Sequence, residues 1–172
     1  MAHDGVDAIE EAWRRERPDV DGSSIGIITR IWRLARFLDR ARGEALAGLG
    51  TDSATLDALA TLRRAGRPYR LTAGEMQRRS LVTAGAVTQR LDKLEQAGLV
   101  RREGDERDGR VVLVVLTPRG RRLVDRIFVE LMRQEQALLS PLTRREREKL
   151  VVLLRRWLSW FEGRRSEPPD RG

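Results

Sequence analysis

The residues best suited to chemistry stand in two short stretches. Arg107 and Arg110 belong to the segment Glu103-Gly104-Asp105-Glu106-Arg107-Asp108-Gly109-Arg110, a charged loop punctuated by glycine. Long cations at a loop tip can enter the minor groove of a duplex, and Asp105 and Asp108 are placed to orient their guanidinium groups. Earlier in the chain Thr83 is a candidate helix N-cap, followed by Ala84-Gly85-Ala86 and then Thr88, Gln89, Arg90 and Lys93. Small residues in a first turn let a helix backbone approach a duplex closely, and a helix N-terminus favours phosphate. Thr88, Gln89 and Arg90 then fall within reach of base edges or backbone. The chemistry implied is recognition of a polyanion, not the making or breaking of bonds.

Elements able to position these residues are legible between 71 and 116. Thr72 and Glu75 have capping-box spacing at the start of a short helix, which Ser80-Leu81-Val82 interrupts. After Thr83, the apolar residues Val87, Leu91 and Leu94 recur at intervals of four and three, one buried stripe. Gly98 is the expected C′ glycine, with Leu99 folding back onto the helix. The opposite face carries Thr88, Gln89, Asp92, Lys93 and Gln96. Residues 99–102 and 111–116 are rich in branched apolar side chains and read as two strands of a hairpin. Two helices and an Arg-tipped hairpin make a winged helix-turn-helix. The helical pattern alone would also suit an ordinary helical hairpin; the wing and the Thr117–Gly120 segment favour the first reading.

On these residues, Leu81 to Gly120, the chain resembles the MarR family of bacterial transcription regulators. The D-x-R-D-x-R wing is present as Asp105, Arg107, Asp108 and Arg110, and Leu116-Thr117-Pro118-Arg119-Gly120 is similar to the family's L-T-x-x-G hinge. The resemblance implies a homodimeric regulator of pseudopalindromic double-stranded DNA. Such a protein usually represses a gene and is released by a small ligand.

The rest of the chain is consistent with a single domain, 1–172, mainly α with a small β-wing. The winged helix-turn-helix is expected at about 51–118, dimerisation helices at about 1–48 and 119–162, and a disordered tail at 163–172. Apolar residues are 40% and charged residues 35%, with net charge +8 and pI about 11.2, a balance that suits a polyanionic partner. Cysteine is absent and His3 is the one histidine. Thiol chemistry, a His-based triad and a His-rich metal site are therefore excluded, and no glycine-rich phosphate loop occurs, so no enzyme, metal or cofactor is expected. No apolar run approaches the ~20 residues of a membrane helix, which leads to the expectation of a soluble cytoplasmic protein. An RNA-binding winged helix, or a ligand-independent DNA-binding one, is the alternative. Tyr69 and three phenylalanines provide no interleaved stacking platform for RNA.

Residues 1–24 allow two readings. One is a frayed extension; the other is an extra N-terminal helix with Val6, Ile9, Ala12 and Trp13 on one face and Trp13 as its anchor. A helix over 24–49 carries Ile28, Ile31, Trp32, Ala35, Leu38 and Arg42. Thr51 or Asp52 caps the next helix, with Leu56, Leu59, Ala60 and Leu62 apolar, before Gly66-Arg67-Pro68. Asp57 in that helix faces inward or lies exposed. A long helix follows Pro118, and Thr143 with Glu146 opens the last one. Its residues Leu150 to Phe161 are apolar nearly all round, which calls for burial on more than one side.

The extra N-terminal helix resembles the urate-responsive, PecS/HucR-like subgroup of the family. That resemblance places a Trp, an Asp and an Arg in a ligand site, here Trp13, Asp57 and Arg90. The subgroup commonly has Asn before that Arg where this chain has Gln89, which leaves urate and other organic anions of similar size open as effector. An Asp57–Arg90 ion pair beneath a core tryptophan is the structural alternative.

Overall fold

In the computed structural model the chain divides into two compact units, 1–128 and 129–172. It describes residues 3–79, 84–104 and 111–165, with side chains for all of these but 84–88 and 165.

The first unit opens with α1 (Gly5–Glu16) and α2 (Ile25–Gly48). Asp4 caps α1, accepting from the Val6 amide at 2.8 Å while its own amide donates to Asp7. The N-terminal stretch is therefore a helix on the body, not a frayed extension. Its anchors are Val6, which is buried, and Arg30 of α2, which donates to Asp4 at 2.9 Å and to Asp7 at 2.6 Å. Trp13 does not play the expected anchoring part, because 55% of it is exposed. In α2 only Ala45 and Leu46 are buried; of the residues at three/four spacing, Ile28 and Ile31 are half-buried and Trp32 is 67% exposed.

Helix α3 (Ser53–Arg64) begins at Asp52, whose carboxylate accepts from the Ala54 and Thr55 amides. Leu56, Leu59 and Leu62 recur at a spacing of three and are all buried, so α3 turns its apolar stripe fully inward. The Thr72–Glu75 capping box forms in both directions, at 2.9 and 3.1 Å, and opens α4 (Ala73–Arg79).

The wing departs from expectation in strand number. Residues Arg70–Thr72 form β1, which pairs with β3 (Val112–Leu116); β3 also pairs with β2 (Val100–Gly104). The sheet is antiparallel in the order β1-β3-β2, three strands rather than a two-stranded hairpin. A three-residue strand is too short to show a period of two in sequence, and Thr72 serves both as strand end and as helix cap. Central placement explains β3: Leu113 to Leu116 are all buried, whereas in the edge strand β2 only Val100 is. The largest fully buried side chains of this unit are Leu46, Leu59, Leu62, Met76, Val100, Val114, Ile127 and Val6.

Helix α6 (Pro118–Leu138) runs from the first unit into the second. Within the second unit, Ser140-Pro141-Leu142 breaks the chain and Thr143 opens α7 (Arg144–Arg165) through a reciprocal cap with Glu146 at 2.7 and 3.3 Å. Arg147 ties the turn by donating to the Leu142 carbonyl and to Gln136. Helix α7 reaches Arg165, so 163–165 are helical rather than the start of a tail. The cover expected for Leu150 to Phe161, a partner subunit, lies outside the lone chain, in which Leu154 is 47% and Leu158 58% exposed.

Candidate nucleic-acid interface

The reading element is α5 (Ala84–Gln96). Its C-terminal end is closed by a full Schellman arrangement: Gly98, at φ 66°, donates to the Glu95 carbonyl at 2.8 Å, and Leu99 donates to Leu94 at 2.9 Å. A positive φ there suits glycine, and it turns Leu99 back to be buried with Leu91 and Leu94. Leu91 and Leu94 of the expected α5 stripe are thus seated as their spacing indicates; the Val87 side chain and the Ser80–Val82 break lie outside the described residues. Gln89 and Lys93 stand exposed on the other side.

Two devices tie the wing to its neighbours. Arg102 of β2 spans the gap to α5, donating to Asp92 at 2.6 Å and to Glu95 at 2.7 Å, and its amide also donates to Glu95 at 2.8 Å. A planar guanidinium between two carboxylates fixes orientation as well as distance. The second device joins the wing to α6. The Thr117 hydroxyl donates to the carbonyls of Gly98 and Leu99 at 2.8 and 3.0 Å and accepts from the Gly120 amide at 3.0 Å. The L-T-x-x-G segment is therefore a hydrogen-bonded joint, with Gly120 packed directly on the Leu99 carbonyl.

Arg90 is placed differently from either expectation. Its guanidinium donates to both oxygens of Asp52 at 2.9 Å, with Thr55 Oγ1 at 3.4 Å. It links the reading helix to the cap of α3. Burial pushes the Asp52 carboxyl up, but the Thr55 amide and hydroxyl, together with Arg90, outweigh it and hold the group below the ordinary carboxylate range. A carboxylate partner of Arg90 in this structure is thus Asp52; Asp57 stands half-buried on α3. Trp13 lines a cavity of about 380 Å³ with Glu10, Arg14, Pro18, Val20 and Ile25 among its walls, and neither Asp57 nor Arg90 lines it. Thr83, Arg107 and Arg110, with Asp105 and Asp108, lie outside the described residues. The side chains of Ala84, Ala86 and Thr88 do so too, with Gly85 known here only as helix backbone.

The MarR family's sequence profile matches residues 49–111, from the end of α2 to the residue before β3. Over 151 residues the chain is 36% identical to the HTH-type transcriptional regulator PecS of Dickeya dadantii, covering 88% of this chain and 91% of that protein. The chain belongs to the MarR family. It is also 30% identical over 134 residues to the HTH-type transcriptional repressor Rv2887 of Mycobacterium tuberculosis, covering 78% and 93%. A mutant of E. coli MarR complexed with operator DNA superposes with a TM-score of 0.65 at 29% identity, over 81% of this chain and 99% of that one. MarR proteins are transcription regulators and not enzymes, and the winged helix-turn-helix described above is the module by which this member binds DNA.

Arg102 and Asp52 carry no signal of these roles in the sequence. Both pair across many residues, and no local pattern marks a cation or carboxylate whose partner is distant along the chain. Arg102→Ala should leave Asp92 and Glu95 uncompensated on the reading helix and free it from the wing. Operator affinity is expected to fall by about tenfold, the scale of losing charge-assisted hydrogen bonds, with the thermal midpoint little moved. Fluorescence anisotropy with labelled duplex checks this, and an unchanged affinity sinks the positioning role.

Proposed function

We propose that this MarR-family protein is a homodimeric repressor acting in the cytoplasm, where its operator is, and that it reads a pseudopalindromic duplex through α5 and the wing. The observation that carries the reading is the seating of α5 against the wing by Arg102 and the Thr117–Gly120 joint, which holds a helix and a loop ready for adjacent grooves. Dimerisation is supported by the apolar faces of α2 and α7, each bare within the chain. Among the described residues no helix is long and apolar enough to cross a membrane.

Mobility-shift titration decides between DNA and RNA. Duplex from the gene's own upstream region should be retarded at far lower protein concentration than structured RNA; the reverse order would overturn the reading. In the same assay the wing should show its cations. Arg107→Ala or Arg110→Ala is expected to weaken operator binding strongly with the dimer intact. Each should also flatten the salt dependence by about one unit of slope, because one phosphate fewer is neutralised and one counterion fewer is released. Full affinity in both single variants would remove the arginines from the interface.

The direct contacts proposed are those of Thr83, Ala84, Gly85, Ala86, Thr88, Gln89 and Lys93. Arg90 is a helper whose guanidinium is already shared with Asp52. The resemblance to the urate-responsive subgroup supports an effector anion, urate or a similarly sized carboxylate, at Trp13, Asp57 and Arg90. Such an anion must compete with Asp52 for Arg90 and would release α5 from the α3 cap in doing so. Urate and citrate titrations followed by tryptophan fluorescence and operator binding test this, with Asp57→Ala and Trp13→Phe as variants. Operator affinity indifferent to both anions at millimolar concentration excludes it.

A further inference from the structure

Helix α5 is held from two sides. Each residue turns an α-helix by about 100°. The buried Leu91 and Leu94 therefore lie about 60° apart and mark the inner face. Arg90 falls about 70° to one side of their midline, and Asp92 with Glu95 about 100° to the other. Gln89, Lys93 and Gln96, all exposed, share the outer face.

The two flanks are tied to different elements. On one, Nη1 of Arg90 donates to both carboxylate oxygens of Asp52 at 2.9 Å and lies 3.4 Å from Thr55 Oγ1. On the other, Arg102 of β2 donates to Asp92 at 2.6 Å and to Glu95 at 2.7 Å. Asp52 is itself anchored. Its Oδ1 accepts from the amides of Ala54 and Thr55 at 2.9 and 2.8 Å, and its Oδ2 from the Thr55 hydroxyl at 3.0 Å. Opposed ties of this kind resist one motion above all, rotation of α5 about its own axis. A helix with its side chains is about 10–12 Å across, so a turn of roughly 10° carries a side-chain tip by about 1 Å. That shift spoils a directional hydrogen bond to a base edge. A phosphate contact, largely Coulombic, survives it. The Arg90–Asp52 tie is partly exposed, at 32% and 58% of the two side chains, so it adds little to global stability.

We propose, on the reading of α5 as the helix that enters the major groove, that Asp52 is a positioning residue for sequence discrimination. Acting through Arg90, it fixes the rotation of α5 against the opposing pull of Arg102. It also withholds the Arg90 guanidinium from phosphate, where a long cation would add affinity for any duplex. Base selection thus depends on a carboxylate at the cap of α3, a different helix from the one that reads.

Asp52→Ser keeps a side-chain cap for α3 and gives up the reach to Arg90. Anisotropy titrations over a range of salt concentrations, with duplex from the gene's own upstream region and with scrambled duplex of equal length, yield a discrimination ratio and a salt slope. The ratio is expected to fall about tenfold, the scale of one misread base pair. The slope on scrambled duplex should steepen by about one unit as Arg90 turns to phosphate, with the unfolding midpoint close to wild type. Asp52→Asn, which keeps the cap and one acceptor oxygen for Arg90, should fall between. Loss of a carboxylate also favours any polyanion, so Asp52→Ser is repeated together with Arg90→Gln. There it should leave the ratio as in Arg90→Gln alone, because the residue through which Asp52 acts is gone; a plain charge effect persists. An unchanged ratio in Asp52→Ser, or the same loss with and without Arg90, overturns the positioning role alone. A wild type that binds both duplexes equally overturns the reading of α5, and this role with it.

Discussion

Gly120→Ala is expected to destabilise the protein more than a methyl added at any other of the glycines whose surroundings are described. A Cβ on Gly120 would stand 2.0 Å from the Leu99 carbonyl oxygen and 3.0 Å from its carbon. The obstacle is backbone, and the same carbonyl accepts from the Thr117 amide at 3.1 Å and from its hydroxyl. It cannot retreat without breaking the joint between wing and α6. Overpacking of this kind costs about 3 kcal/mol or more. For a chain of this size that is a fall in unfolding midpoint of roughly 6–12 °C. Circular dichroism melts measure it, with Thr117→Val as companion. That variant removes the hydroxyl alone and should cost about 1 kcal/mol. A Gly120→Ala midpoint within a degree or two of wild type would falsify the packing described for the hinge.

Charging the bare face of α7 should have the largest effect on function. Leu154→Glu with Leu158→Glu places two carboxylates where 47% and 58% of the leucines are exposed in the lone chain. If a second copy covers them, burial of unpaired charge disfavours association by several kcal/mol. Light scattering should then show wild-type dimer and variant monomer at micromolar concentration. Operator affinity should collapse as well, because two reading helices about 34 Å apart engage successive major grooves only when paired. The same residues are solvated in an isolated chain, so the monomer's helical signal should survive. A wild type that is already a folded monomer refutes the assembly, and a doubly charged variant that remains dimeric moves the interface away from α7.

Legibility of the fold in the sequence depends on the range of the interaction. Signals within one turn match the structure in residue and role: the Thr72–Glu75 and Thr143–Glu146 caps, Gly98 with Leu99, and the Leu91–Leu94 stripe. Each is set by backbone geometry over three to five residues, which spacing encodes directly. Motif-length signals, the wing and the L-T-x-x-G hinge, carry the family and with it the DNA-binding function. Strand β1 is not legible, because three residues show no period and Thr72 also caps α4.

By itself, then, the sequence determined the helices after residue 24, the Thr72–Glu75 and Thr143–Glu146 caps, the absence of thiol chemistry and the class of partner, since these follow from local backbone preference and from residue type. Only the tertiary structure decided which charges meet. Arg90 goes to Asp52, whose two carboxylate oxygens at the cap of α3 both accept from the guanidinium. Arg102 closes on Asp92 and Glu95 because β2 doubles back along α5 after Gly98. Gly120 is obligatory for a reason no spacing shows, that a carbonyl from another element lies where its side chain would be. The apolar residues of α2 and α7 were equally visible in sequence, but their pattern is the same for a face turned to its own core and a face left for a second copy. Burial in the lone chain shows these faces bare, and burial is a property of the whole fold.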